Sequence, residues 1–253
     1  MSTLWKSFVL ATSMYSKLPT PKTEWSDRSM AYVFCFFPWI GLVIGGLELL
    51  WFRLADLLHL GSFLFAVVAV LLPIAITGGI HLDGFCDTCD ALGSHQSRER
   101  KLEILKDSHI GAFALIGLVC YMLLTVALWS EVEPCFSLAL IPALARIMSG
   151  LCAVNWKNAR GTGLLASFSQ ASDLRCNRIV LVLWLIAAGI GLYLLNSWPI
   201  VIGAAISVGS YQRMSSKEFG GITGDLAGWF VTICEPVCLA CVVLAQKVGV
   251  VLL

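Results

Sequence analysis

The feature that most limits how this chain can fold is a succession of apolar runs near the 20 residues that a helix needs to cross roughly 30 Å of hydrocarbon. Seven are predicted, at about 31–55, 63–81, 111–129, 135–155, 179–196, 199–212 and 229–252. The run at 199–212 is short and begins at Pro199, so six crossings is the alternative if it is re-entrant or tilted. Inside lipid the backbone must pair its own N–H and C=O groups, which segments of this length do as helices. Composition agrees: 58% of residues are hydrophobic, 13% are charged and the mean hydropathy is +0.84, whereas a soluble domain carries about a quarter charged residues. The expected fold is all-α, a polytopic helical transmembrane bundle forming one domain over 1–253.

Basic residues orient the bundle. Lys6, Lys17, Lys22 and Arg28 precede the first run, and Arg98, Arg100, Lys101 and Lys106 lie between the second and third. Lys157, Arg160, Arg175 and Arg178 lie between the fourth and fifth, and Arg213 and Lys217 between the sixth and seventh. Seven crossings bring these fourteen of the seventeen Lys and Arg to one face. The other face keeps Arg53, Lys247 and the acidic Glu131 and Glu133, while Arg146 falls within a run. The positive-inside rule makes the rich face, and with it the N-terminus, cytoplasmic. Before the first run, Leu4, Phe8, Ala11 and Tyr15 recur at helical spacing, as in a helix lying in the membrane interface. The apolar stretch 8–14 is short and broken by Thr12 and Ser13, unlike a signal peptide.

Net charge of +1 offers no field for nucleic acid. Cys35, Cys120, Cys152, Cys234, Cys238 and Cys241 sit inside apolar runs, so no disulfide framework is expected. Cys86 and Cys89 have no second Cys or His pair at ligand spacing and are read as small structural residues.

Chemistry concentrates where the second run ends. From His81 the chain reads His-Leu-Asp-Gly-Phe-Cys-Asp-Thr-Cys-Asp, putting Asp83, Asp87 and Asp90 at i, i+4 and i+7 on one helix face. Such like charges repel unless a cation neutralises them, and carboxylate oxygens suit Mg²⁺, which is commonly shared with substrate phosphates. A solvated acidic face would carry Lys or Arg one turn away, but Phe85, Cys86 and Cys89 occupy the other faces. His81 can be read as a ligand, a base or an interfacial histidine. Downstream, 98–111 reads as an amphipathic helix with Arg98, Arg100, Lys101 and Lys106 as candidate phosphate donors. Gly220-Gly221-Ile222-Thr223-Gly224-Asp225 precedes the last run on the same face; its glycines permit close phosphate approach, and Asp225 is a further candidate ligand. Glu235, within the last run, is costly there and a functional candidate, and Pro236 is a kink site.

At these residues the chain resembles the cobalamin synthase family, adenosylcobinamide-GDP ribazoletransferases that build the lower ligand arm of vitamin B12 in bacterial and archaeal membranes. Lys17-Leu18-Pro19, Phe37-Pro38 with Gly41, the 78–84 segment with Asp87 and Asp90, 102–108, Ile110-Gly111 and 220–225 carry the likeness over nearly the whole chain. Ala91, Cys86 and Leu226-Ala227 depart from the usual pattern, and Asn158 to Gly163 is shortened. The resemblance implies that the 5′ hydroxyl of α-ribazole, or of its 5′-phosphate, attacks the cobinamide-side phosphorus of adenosylcobinamide-GDP and expels GMP, supported by Mg²⁺. It assigns Asp83, Asp87, Asp90 and Asp225 to metal. Arg98, Lys106, Arg160, Gly221, Thr223 and Gly224 fall to substrate and phosphate, and His81 or Asp107 to deprotonation of the hydroxyl. It also implies the bacterial inner membrane, lipid as neighbour and a cytoplasmic active site, with homo-oligomerisation left open.

Two other classes fit less well. A CDP-alcohol or prenyl transferase also aligns Asp on helices, but the CDP-alcohol pattern follows Asp-Gly with Ala-Arg, whereas Asp83-Gly84 is followed by Phe85-Cys86. A transporter using intramembrane carboxylates predicts acids near the midplane in paired broken spans, and the acids here cluster at an edge.

Overall fold

The computed structural model describes residues 2–160, 168 and 171–252. Those residues form helices and loops, with one isolated bridge, Asn158 with Ile222, as the sole β pairing among them. In chain order the helices are α1 (Thr3–Tyr15), α2 (Asp27–Met30), α3 (Val33–Leu57), α4 (Ser62–Thr77), α5 (Ile80–Gly93), α6 (Arg98–Ile104) and α7 (Ala112–Glu131). A 3₁₀ turn, Phe136–Leu140, leads into α8 (Ile141–Asn155), followed by α9 (Leu174–Leu194) and α10 (Trp198–Met214). A π-helical turn, Ser215–Phe219, precedes α11 (Gly224–Lys247).

All seven apolar runs are helical, but the expected seven crossings do not all have the length. Five stretches are long and apolar enough to span: α3, α7, Phe136–Asn155, α9 and α11. A sixth is reached only if α4 and α5, bent by 99° at their junction, count as one. The run beginning at Pro199 becomes α10, whose 17 residues reach ~26 Å. We read α4 as the apolar limb of the bent pair, and α5, with its three Asp, as the limb turned out of it.

Burial sorts the bundle into an inner and an outer ring. The 136–155 stretch is 78% inside the protein, α11 61% and α3 56%, against 17% for α7 and 22% for α9, so the outer pair leaves its apolar surface on the outside of the bundle. Close packing of the inner ring rests on small residues: a Cβ on Gly41 would fall 2.4 Å from the Ala143 backbone, and one on Gly45 2.0 Å from the Ala139 carbonyl. Pro236 does not interrupt α11. Glu235 lies three turns into that helix and pairs at 2.7 Å with Arg146, itself 1% exposed. Arg146 also donates to the Pro142 carbonyl at 2.8 Å, so this cation of the 135–155 run is matched inside the bundle.

Lys247 pairs with Glu131 at 2.7 Å and Gln246 bonds the Glu133 backbone, so the C-terminal ends of α7 and α11 meet opposite the carboxylates of α5. Helix α1 lays Ala11 against the protein, Phe8 edge-on to Phe36 at 5.5 Å and Tyr15 on Phe37 at 4.4 Å. Leu4, expected on the same face, is 55% exposed.

Candidate active site

The acidic row is aimed by two glycines. Gly78 and Gly79 have φ of +66° and +79°, a left-handed region that other residues occupy at a cost, and together they turn the chain from α4 into α5. Lys17 closes over this turn: its backbone N–H donates to the Ile76 carbonyl at 2.7 Å, and a Cβ on Gly78 would strike its side chain. The turn puts Asp83 in the first turn of α5 and Asp87 one turn later. His81 is buried, with its ring 5.7 Å from Phe37 and 6.1 Å from Tyr15, and its Nε2 has no hydrogen-bond partner among the described residues.

The start of α11 packs across α5 at its least bulky point, since a Cβ on Gly84 would fall 2.6 Å from the Asp225 carbonyl oxygen. Thr223 caps α11 by accepting from the Leu226 N–H, which sets Asp225 in the first turn beside the α5 row. The bridge fixes the loop in front: Ala159 N–H donates to the Ile222 carbonyl at 2.8 Å, and Ile222 N–H to the Lys157 carbonyl at 2.9 Å. Gly221 fits there because a Cβ would lie 2.5 Å from the Lys157 carbonyl. This pairing carries Arg160 inward, where it reaches Asp225 at 3.2 Å and donates to the Leu102 carbonyl at 2.9 Å. Partial burial and the charges of Asp83, Asp225 and Asp90 push the Asp87 carboxyl up to about 7, with Arg160 pulling the other way.

Asp90, on the same face, is already engaged by the next helix. Its two oxygens accept from the N–H groups of Gly111 at 2.6 Å and Ala114 at 2.8 Å, capping α7. No three His, Cys, Asp or Glu side chains among the described residues converge closely enough to hold a metal unaided. The donor set nevertheless suits Mg²⁺: Asp83, Asp87 and Asp225 offer only hard oxygens, and Mg²⁺ commonly takes one or two carboxylates and completes its shell with water and substrate phosphate.

Two cavities meet at the row. An inner one of about 180 Å³ reaches between α3, α5, α8 and α11 past His81, Arg160 and Asp225. An outer one of about 540 Å³ opens between α1, the 78–79 turn and 108–110 past Asp87. Asp83 and Ile80 line both.

A family model described as cobalamin-5-phosphate synthase matches residues 7–243. The chain belongs to this family. A relative from Lachnoclostridium phytofermentans named adenosylcobinamide-GDP ribazoletransferase is 43% identical, covering 98% of this chain and 95% of that protein. Relatives of the same name from Clostridium perfringens and Geobacillus thermodenitrificans are 32% and 30% identical, over 93% and 90% of this chain and 96% and 91% of their own lengths. No solved structure matches.

The remaining candidates are less central. Arg98 is exposed and donates to the Lys217 carbonyl at 3.3 Å. Lys106 and Asp107 are exposed and line neither cavity; Asp107 accepts from its neighbour His109, which holds its carboxyl below the usual range. Lys101 is buried and paired with Glu218, so its charge is already matched. Gly224 lines the inner cavity with Thr223, and Arg160 proves the best placed of the cations. Residues 161–163 of the shortened glycine stretch lie outside the described residues. The aromatic wall formed by Tyr15, Phe34 and Phe37 is not legible in the sequence, where such residues are ordinary core; nor is Lys17 as a cavity-lining cation, although it opens the Lys17-Leu18-Pro19 motif.

Proposed function

We propose that the chain is an adenosylcobinamide-GDP ribazoletransferase. The 5′ hydroxyl of α-ribazole, or of its 5′-phosphate, attacks the phosphorus next to cobinamide, the new P–O bond replaces the bond to the guanylyl phosphate, and GMP leaves. The observation that supports this most is the carboxylate row at the meeting point of two cavities, with Arg160 inside one of them. A transfer between two large reactants asks for that arrangement, since the protein must chiefly position them and offset phosphoryl charge.

Asp83, Asp87 and Asp225 would hold Mg²⁺, which when bound offsets charge on the phosphates. Arg160 would stabilise the same phosphates by two-point donation. His81 is the better supported acceptor of the hydroxyl proton, because its buried Nε2 is unpaired on the inner cavity, whereas Asp107 is exposed and engaged with His109. Asp90 would act by tying α7 to α5. The excess of Lys and Arg at the carboxylate end supports a cytoplasmic site in the bacterial inner membrane, and the outward apolar faces of α7 and α9 support lipid contact.

The test is turnover. Purified protein in nanodiscs should convert adenosylcobinamide-GDP and α-ribazole to adenosylcobalamin with one GMP per product. Activity should vanish in chelator and return with Mg²⁺. Turnover undiminished after exhaustive chelation would refute the metal assignment, and no GMP under any condition would refute the transferase reading.

A further inference from the structure

We propose that the two cavities divide the reactants: the inner one seats the nucleoside acceptor by its flat aromatic base, and the outer one receives the diphosphate-linked donor. This rests on the transferase reading and adds which part of the protein recognises which reactant.

Size separates them first. The inner cavity, about 180 Å³, is a third of the outer one's roughly 540 Å³, and it runs into the helix bundle, where a corrin carrying a nucleotide could not follow. Lining chemistry separates them again. Tyr15, Phe34, Phe37 and Phe168 wall the inner cavity, and Ser149 and Asn158 add polar groups. Rings in such a wall take a flat fused base by offset or edge-to-face contact. One group there looks for a ligand: the buried Nε2 of His81 lacks a partner among the described residues, and an unpaired polar atom in such a site is destabilising. A nucleoside hydroxyl would satisfy it. Asp83, Arg160 and Asp225 line the same cavity, and the assignment directs the ribose end of the seated base toward them.

The outer cavity lacks an aromatic wall apart from His109 and presents Ser13, Lys17, Thr77 and Ser108 beside the Gly78-Gly79 turn. Lys17 forms no ion pair among the described residues. Its ammonium and the hydroxyls suit phosphate oxygens. Because Asp83 lines both cavities, an acceptor hydroxyl and a donor phosphorus brought from opposite sides meet there.

The experiment splits the two Michaelis constants. Ala153, buried on the inner cavity, is changed by Ala153→Met to shrink that cavity, and Tyr15→Leu removes one ring should the first variant fold poorly. Either should raise KM for α-ribazole about tenfold or more and leave KM for adenosylcobinamide-GDP within about twofold. Lys17→Gln should do the reverse. Calorimetric titration of wild-type protein with α-ribazole alone should show binding that Tyr15→Leu weakens by a similar factor. A rise in the donor KM from the inner-cavity variants, equal rises in both constants, or α-ribazole binding indifferent to Tyr15→Leu would overturn the assignment. Failure of the transferase reading looks different, because wild-type protein would then release no GMP with both reactants present.

Discussion

Gly84→Ala probes whether the fold is built to hold Asp225 against the α5 row. The added Cβ would stand 2.6 Å from the Asp225 carbonyl oxygen and 2.9 Å from its Cα, where 3.4 Å is the near edge of ordinary contact, so up to 0.8 Å must open. Both obstacles are backbone, and the start of α11 is fixed by the Thr223 cap and the Ile222 bridge, so no side chain can swing aside. Overpacking of this kind costs ~1–3 kcal/mol, and displacing reactive groups by about 1 Å can lower turnover ~100-fold. GMP release in nanodiscs, with thermal unfolding of the same samples, reads both effects. Gly46→Ala and Gly189→Ala are controls, since neither Cβ would meet anything within 4 Å; each should keep wild-type turnover and gain up to ~1 kcal/mol of helix stability. Wild-type kcat and stability in Gly84→Ala would show that the close approach does not position the site.

Asp87→Asn should abolish turnover yet stabilise the metal-free protein. With its carboxyl raised from 3.8 to about 7 in the fold, Asp87 favours the folded state at low pH, and that stability is lost as pH rises toward 7 and then levels. Because the side chain is only partly buried, screening reduces the effect to roughly 1 kcal/mol; the wild-type minus variant difference in chelator should trace this curve, and a flat difference would refute it. Arg146→Ala strands Glu235 inside the bundle and should cost ~3–5 kcal/mol, measured as a lower unfolding temperature, with Arg146→Ala/Glu235→Ala recovering much of it. Thiol labelling of Ser130→Cys, near the Glu131–Lys247 end, should require periplasmic access; labelling from the cytoplasm alone would invert the proposed orientation.

The sequence by itself determined the helical class, because runs of about 20 apolar residues admit few other structures in lipid. It also determined that Asp83 and Asp87 share a face, because helical period fixes that. It did not reveal that the Asp90 carboxylate would also hold the start of α7, since its partners, the N–H groups of Gly111 and Ala114, lie beyond its own helix. Nor did it reveal that Lys101 would meet Glu218, or Arg160 meet Asp225, which are contacts between residues far apart in the chain. The sharp turn at Gly78-Gly79 was hidden inside a run that reads as one continuous span, because hydropathy records solvent preference and not direction. Only the tertiary structure decided which charges stay free, which aromatic rings wall a cavity rather than fill a core, and that two cavities meet at Asp83. Those properties arise from packing between helices, and a local pattern of residues does not encode the distance between elements that it does not contain.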